Sequence, residues 1–411
     1  MIRHRLKLLV LTPTFPYPPV SGGDIRVFHL LRRLSREFDI HLLPACTGSS
    51  ERLIAETGIA AVYAPETIQV RSFSPRAGRW LDFWRHAPHG IRLDVDPGYA
   101  RALRRIVATT DFDGVVIDHL YMMQYARFLG SLPVFYLAAD VETTKFARWH
   151  EGELLPMKRR LLHWAQHRII TWHESRLNTS ARVAFAASQH DRDVLARLNR
   201  GGRFVAVPNG VDFEYFRARS RQSFDGPPAV FFVGTMYYKP NREAAMFLAR
   251  EVFPLVRREI PDATCHLAGK TDSSDYSGLN HPEQGVHMHG FVEDIRPFLE
   301  QAQILVVPLF IGSGTRIKIL EAMGSGTPVV SSSIGAEGID YSKGENILIA
   351  DTAAELAASV VSLLRDRERC FTIGQAGRRL VEEKYSWDSS ADVMRTEMLR
   401  ALEKKAKPDT Q

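Results

Sequence analysis

The residues best placed to do chemistry are those of the segment Gly312-Ser313-Gly314-Thr315-Arg316-Ile317-Lys318, with Glu321 three positions further on. The apolar run Ile304 to Leu309 precedes them and reads as a buried parallel strand, with Pro308 near its carboxyl end. Helical composition from Arg316 to Met323 follows, so the glycine turn would present free backbone N–H groups beside a helix N-terminus, an arrangement suited to an anion. Arg316 and Lys318 in the first helical turn oppose the helix dipole, and an anion between them would remove the conflict. The carboxylate of Glu321 can accept two hydrogen bonds from a ribose. A phosphorylated nucleotide is the ligand these residue types describe.

A second set of polar residues lies in the first half of the chain. Gly114 to Ile117 reads as a strand ending in Asp118-His119, and Pro133 to Ala138 as another ending in Asp140-Val141-Glu142. Polar residues at strand carboxyl ends project into the ligand crevice of open parallel sheets, which makes His119, Asp140 and Glu142 site candidates. The strand Lys7 to Leu11 leads through a proline-rich stretch to Ser21-Gly22-Gly23-Asp24 and a helix carrying Val27, Leu30, Leu31 and Leu34 on one face. Gly22 and Gly23 would let the backbone approach a ligand closely.

Positioning these residues takes two domains. The chain has 411 residues, 45% of them hydrophobic and 24% charged, with a net charge of +6. That length exceeds one hydrophobic core and predicts two domains of roughly 150 to 200 residues. Further strands are expected at Ile40 to Ala45, Ala61 to Ala64, Val183 to Ala187 and Phe204 to Val207, and Thr143 to Ser180 reads as helix. Turn chemistry at Pro208-Asn209-Gly210 and an irregular stretch to Pro227-Pro228 mark the boundary. A second series starts at Ala229, with one helix expected over REAAMFLAREVFPLV and strands at Ala263 to Ala268, Val286 to His289, Ile304 to Leu309, Pro328 to Ser331 and Ile347 to Ile349. The domains are therefore 1–207 and 208–384, with 385–411 a helix crossing back onto the first. The fold class is α/β: two facing Rossmann-like domains with parallel sheets and a cleft between them.

Composition excludes several functions. Cys46, Cys265 and Cys370 lie far apart without metal-ligand spacing, which fits packing residues in a reducing cytosol. No apolar run approaches the ~18 to 20 residues needed to span a bilayer. The basic start MIRHRLK meets prolines rather than a cleavage site, so it reads as a first strand and not as a leader. No phosphate-loop or dinucleotide glycine motif is present, no nucleic-acid module is visible, and no metal is expected. From Arg71 to Arg105 arginines interleave with Phe73, Trp80, Phe83 and Trp84, a composition suited either to a solvated helical excursion or to peripheral contact with an anionic membrane.

Several blocks together resemble the retaining GT-B glycosyltransferases of family 4, the group 1 glycosyl transferases. They are the Gly22-Gly23 loop, PNGVD from Pro208, FVGTMYYKPN from Phe231, HGFVEDIRPFLEQA from His289 and GTRIKILEAMGSGTPVVSS ending at Ser332. The resemblance implies the GT-B fold and a metal-independent hexosyl transfer, with retention, from a UDP- or GDP-linked sugar bound mainly by the C-terminal domain. The acceptor, a glycan or lipid-linked molecule, would bind the N-terminal domain. The setting it implies is bacterial polysaccharide biosynthesis in the cytoplasm, at the inner face of the cell membrane.

By the same resemblance Glu321 binds the ribose, Phe291 and Val292 lie near the base, and the N–H groups of Thr315 and Arg316 meet the donor. Three departures stand out. Ser313 replaces a carboxylate that contacts the donor sugar in many relatives. Thr235 and Asn241 align with the Arg and Lys that grip the diphosphate, leaving Arg316, Lys318 and Lys239 to supply charge. The position of a catalytic-site histidine falls near Ala139, leaving His119 or Asp140 as catalytic candidates. A nucleotide-sugar epimerase and a non-catalytic nucleotide-sugar or glycan-binding protein are the alternatives.

Overall fold

A computed structural model describes residues 5–63, 95–149, 156–218, 220, 227–271 and 279–403. In chain order the first part contains β1 (Lys7–Thr12), α1 (Gly22–Leu34), β2 (Asp39–Pro44), α2 (Ser50–Thr57), β3 (Ala61–Val62), α3 (Pro97–Thr109), β4 (Gly114–Asp118), a 3-10 stretch (Leu120–Phe128), β5 (Val134–Leu137), α4 (Glu142–Arg148), α5 (Met157–Glu174), α6 (Leu177–Ser180), β6 (Val183–Ala186), α7 (Gln189–Leu198) and β7 (Phe204–Ala206). The second part contains β8 (Ala229–Val233), α8 (Lys239–Phe247), α9 (Phe253–Glu259), β9 (Thr264–Ala268), β10 (Val286–Met288), α10 (Arg296–Gln301), β11 (Ile304–Val307), α11 (Ile317–Ser325), β12 (Val329–Ser331), β13 (Leu348–Ile349), α12 (Ala353–Arg365) and α13 (Arg367–Lys384). A last helix, α14 (Trp387–Glu403), follows.

Two compact units result: Met1–Pro208 with Trp387–Gln411, and Asn209–Ser386. The sheet of the first unit runs β3-β2-β1-β4-β5-β6-β7, that of the second β10-β9-β8-β11-β12-β13, and every pairing between these described strands is parallel. Continuous apolar runs make this possible, because a strand covered on both faces needs no polar alternation: Ile304, Leu305, Val306 and Val307 are all fully buried. In each sheet the strand order reverses once, between β1 and β4 and between β8 and β11. Such switch points are where parallel sheets open a crevice at the strand carboxyl ends.

Helix α14 belongs to the first unit. Trp387, 1% exposed, stacks on His29 of α1 at 5.0 Å, and Asp388 pairs with Arg33 at 3.1 Å.

Two helical expectations are corrected. The single helix expected from Arg242 breaks into α8 and α9 around a π turn at Leu248–Val252. Pro254, in the first turn of α9, has no N–H to continue the ladder, so the hydrogen-bond register widens before it. The helix expected over Thr143 to Ser180 is divided into α4, α5 and α6, with Pro156 at the N-cap position of α5.

Close packing in the second unit depends on glycine. A methyl group on Gly374 of α13 would overlap the carbonyl oxygen of Gly326, which follows α11. Gly374→Ala is expected to destabilise the protein by about 2 kcal/mol, read as a lower urea midpoint with an unchanged slope.

Candidate functional site

The switch point of the second sheet gathers most of the residues that the sequence singles out there. The loop after β11 turns through Gly312 and Gly314, whose φ values of 134° and 76° only glycine adopts without strain, and enters α11 with Arg316 at its N-cap. No side-chain hydrogen bond caps the start of α11. Helix α11 therefore starts one residue later than expected, and Arg316 stands outside it. Its guanidinium folds back, donating from Nη1 to the carbonyl oxygens of Ser313 and, at 2.8 Å, Gly314. Nη2 is buried without a hydrogen-bond partner among the described residues. Ser313 and Thr315 are buried as well.

Lys318 reaches across to the loop after β8. Its Nζ donates to Asn241 Oδ1 at 3.0 Å and sits 4.6 Å above the Phe232 ring. Asn241 Nδ2 in turn donates to the Thr235 carbonyl at 3.2 Å, so Thr235, Asn241 and Lys318 form one chain of contacts. Gly234 makes room for it: a Cβ there would fall 2.6 Å from Asn241 Cγ and 2.8 Å from Lys318 Nζ. Lys239, the first residue of α8, lies 3.6 Å from Glu243 and is directed along its own helix.

One turn into α11, Glu321 is partly buried and accepts no hydrogen bond from any described residue. Burial pushes its carboxyl up to about 7, against the pull of the Lys318 charge. Burial pushes Lys318 down to about 7, helped by Arg316 and opposed by Glu321. Near neutral pH both groups are thus only partly ionised. Phe291 is 54% exposed, and Val292 packs against the core of the unit.

Sequence reasoning missed one aromatic neighbour of this site. Tyr215 feels the charge of Glu321, donates to Asp294 at 3.3 Å and carries the Arg296 guanidinium 3.8 Å above its ring. The signal was present in Asp294-Ile295-Arg296, inside the block that starts at His289.

The switch point of the first sheet builds a separate site. Gly22 and Gly23 form the first turn of α1 rather than a loop before it, because Ser21 and Asp24 make a reciprocal capping box. Thr14 Oγ1 anchors Asp24 at 2.6 Å. His119 follows β4 with φ 67° and ψ 145°, a region open essentially to glycine alone. Its ring lies beside Gly23, where a Cβ would meet Cε1 at 3.6 Å. Nδ1 lies 2.8 Å from Oδ2 of Asp118, which is 1% exposed. Burial works against the imidazolium, but Asp118 and then Glu142 outweigh it and hold His119 above its ordinary value.

Asp140 pairs with Lys145 at 3.0 Å, and Lys145 also holds Glu142 at 2.6 Å. Helix α4 is tied down by Glu174, fully buried, which accepts from the N–H groups of Glu142 and Thr143 at 2.9 Å each. The structure therefore joins His119 to Gly22-Gly23 and engages Asp140 in an ion pair.

The stretch 71–105, expected to be either a solvated helical excursion or a membrane contact, lies outside the described residues up to 94. Val95 to Arg105 lead into and form part of α3. Among the described residues no cluster of His, Cys, Asp and Glu could hold a metal ion, and no helix is long and apolar enough to cross a membrane.

Residues 227–366 match the family model described as "Glycosyl transferases group 1", and this segment contains the whole β8–β11 switch point. The phosphatidyl-myo-inositol mannosyltransferase of Mycobacterium tuberculosis is 28% identical over 220 residues, covering 49% of this chain and 54% of that protein. The matched stretch thus spans about half the length of that relative. Sucrose-phosphate synthase from Thermosynechococcus elongatus superimposes with a TM-score of 0.73 at 18% identity, over 97% of this chain and 99% of the other. Anabaena Alr3699/HepE, solved in complex with UDP-glucose, gives 0.69 at 14% identity, over 96% of this chain and 100% of the other. The fold is GT-B, with two Rossmann-like parallel-sheet domains.

Proposed function

We propose that this GT-B chain transfers a hexosyl group, with retention and without a metal ion, from a UDP- or GDP-linked sugar to a glycan or lipid-linked acceptor in bacterial polysaccharide biosynthesis. The observation that carries the reading is Glu321, a partly buried carboxylate with no hydrogen-bond donor of its own, three residues from a lysine and beside an uncapped helix start. A ribose supplies the two hydroxyl donors that Glu321 lacks, and a diphosphate supplies the anion for Lys318, the α11 N–H groups and the spare N–H of Arg316. Tyr215 and Phe291 offer exposed rings for the base. The match to a group 1 model and the UDP-glucose held by a protein of the same fold support a nucleotide-sugar donor.

The reaction breaks the bond between the sugar's anomeric carbon and the diphosphate oxygen and forms one to the acceptor oxygen, whose proton passes to the departing phosphate. Lys318 and the α11 N-terminus stabilise the charge that develops on the leaving group. Acceptor binding is assigned to the first unit, where the His119 ring lies beside Gly23 at the start of α1.

The test incubates the purified chain with UDP- and GDP-linked sugars and a set of glycan and lipid-linked acceptors, with EDTA present. Acceptor-dependent release of nucleoside diphosphate is expected. A strict need for Mg²⁺ or Mn²⁺ contradicts the metal-free reading; donor conversion without any acceptor points to epimerisation, and binding without turnover to a carrier.

Proton linkage gives an independent check. Hydroxyl donors favour the Glu321 carboxylate, so that contribution strengthens as pH rises through about 7. A diphosphate favours the Lys318 ammonium, so that contribution weakens over the same range. Calorimetry of nucleoside diphosphate binding is expected to show an optimum near neutrality. In Lys318→Met the affinity should instead keep rising, about tenfold between pH 6 and 8; the same optimum in both proteins would contradict the assignment.

A further inference from the structure

Helix α5 presents an outer face that no described element covers. Met157, Leu161, Trp164 and Trp172 are 85%, 66%, 60% and 50% exposed. At about 100° per residue they fall in one stripe together with Arg168. The inner face is anchored: Ile170 and Glu174 are buried, and His163 stacks on Phe146 of α4 at 4.4 Å. The stripe is thus turned outward by fixed packing on the opposite side.

Charge on this helix has one sign. Lys158, Arg159, Arg160 and Arg168 are all exposed, and the sole acid of α5, Glu174, is fully buried and bound to backbone N–H groups of α4. Just past the helix, the Arg176 guanidinium lies 4.1 Å above the Trp172 ring. Large apolar side chains flanked by cations, with tryptophans along the length, match the chemistry of a bilayer interface, where acyl chains take the apolar groups and anionic headgroups the cations. A second copy of the same face would bring like charges together.

We propose that α5 lies in the plane of an anionic lipid bilayer, with Met157, Leu161, Trp164 and Trp172 entering the headgroup boundary and Lys158, Arg160 and Arg168 meeting phosphates. The proposal is independent of the transfer reaction and of the stretch 71–94.

Co-sedimentation of the full chain with phosphatidylcholine vesicles, with and without about a third of phosphatidylglycerol, tests it. Binding is expected only to the anionic vesicles and to weaken with salt. Leu161→Ser/Trp164→Ser and Lys158→Glu/Arg160→Glu should each lower partitioning at least about tenfold, while thermal melting stays that of the wild type because all four side chains are exposed. On the unaltered chain, brominated acyl chains should quench tryptophan fluorescence, and Trp164→Phe/Trp172→Phe should remove most of that quenching. The idea is overturned if both double variants bind like the wild type, if neutral vesicles bind equally well, if no vesicle binds, or if the chain sediments through self-association without lipid.

Discussion

Glu321→Gln is expected to cut donor-dependent turnover at least a hundredfold while making the ligand-free protein more stable. The two effects share one cause. Burial holds the Glu321 carboxyl at about 7 against an ordinary 4.5, so the fold disfavours its charged form. For a group raised in this way the cost is absent below about pH 4.5, grows as pH rises toward 7 and is complete above it. Glutamine carries no charge to desolvate, so the gain should be on the order of 1 kcal/mol near pH 8, after allowing for the lost attraction to Lys318, and should shrink to about a quarter of that near pH 5. Melting curves at the two pH values check this. A variant whose gain over the wild type is no larger at pH 8 than at pH 5, or one that retains turnover, removes Glu321 from its assigned role.

The second large effect is expected at His119. The backbone there occupies a region costing about 1 to 3 kcal/mol for any residue with a Cβ. His119→Gly should therefore gain stability relative to His119→Ala by about 1 kcal/mol or more, while both lose activity by about a hundredfold. Asp118 and Glu142 raise the histidine's affinity for its proton, so the activity that depends on the imidazolium should fall as pH rises past a midpoint above the ordinary histidine value. Asp118→Asn should move that midpoint down. If His119→Ala transfers sugar at the wild-type rate, the histidine serves only the fold.

Much of this architecture was legible because parallel strands announce themselves as short apolar runs bounded by turn residues. The runs at Lys7, Gly114, Ala229 and Ile304 each lead to a strand within a residue or two of its observed ends. Glu321 and Lys318 were legible for a similar reason: glycines followed by helix formers fix where a helix starts, and spacing fixes what shares its face. What could not be read was the direction of long side chains. Arg316 looked like a free cation, yet its guanidinium satisfies the carbonyls of its own loop. Asp140 looked like a strand-end acid facing a ligand, yet Lys145, five residues on, claims it once α4 forms. Lys239 is likewise drawn toward Glu243. The role of Glu174 was invisible because its partners lie about thirty residues away and are backbone groups, which leave no mark on composition.

The return of α14 to the first unit bears on how the polypeptide matures during synthesis. The second unit is an insertion within the first, whose last element is made after all of the second unit's strands have left the ribosome. Until then Leu8, Val27, Leu31 and Leu34 border a space that Met394 of α14 helps to close, and His29 lacks the indole it stacks on. The nascent first unit therefore waits with part of its apolar surface uncovered, while the second, continuous in sequence, can complete its core without delay. The later-made half of the molecule is in this sense the earlier to be finished.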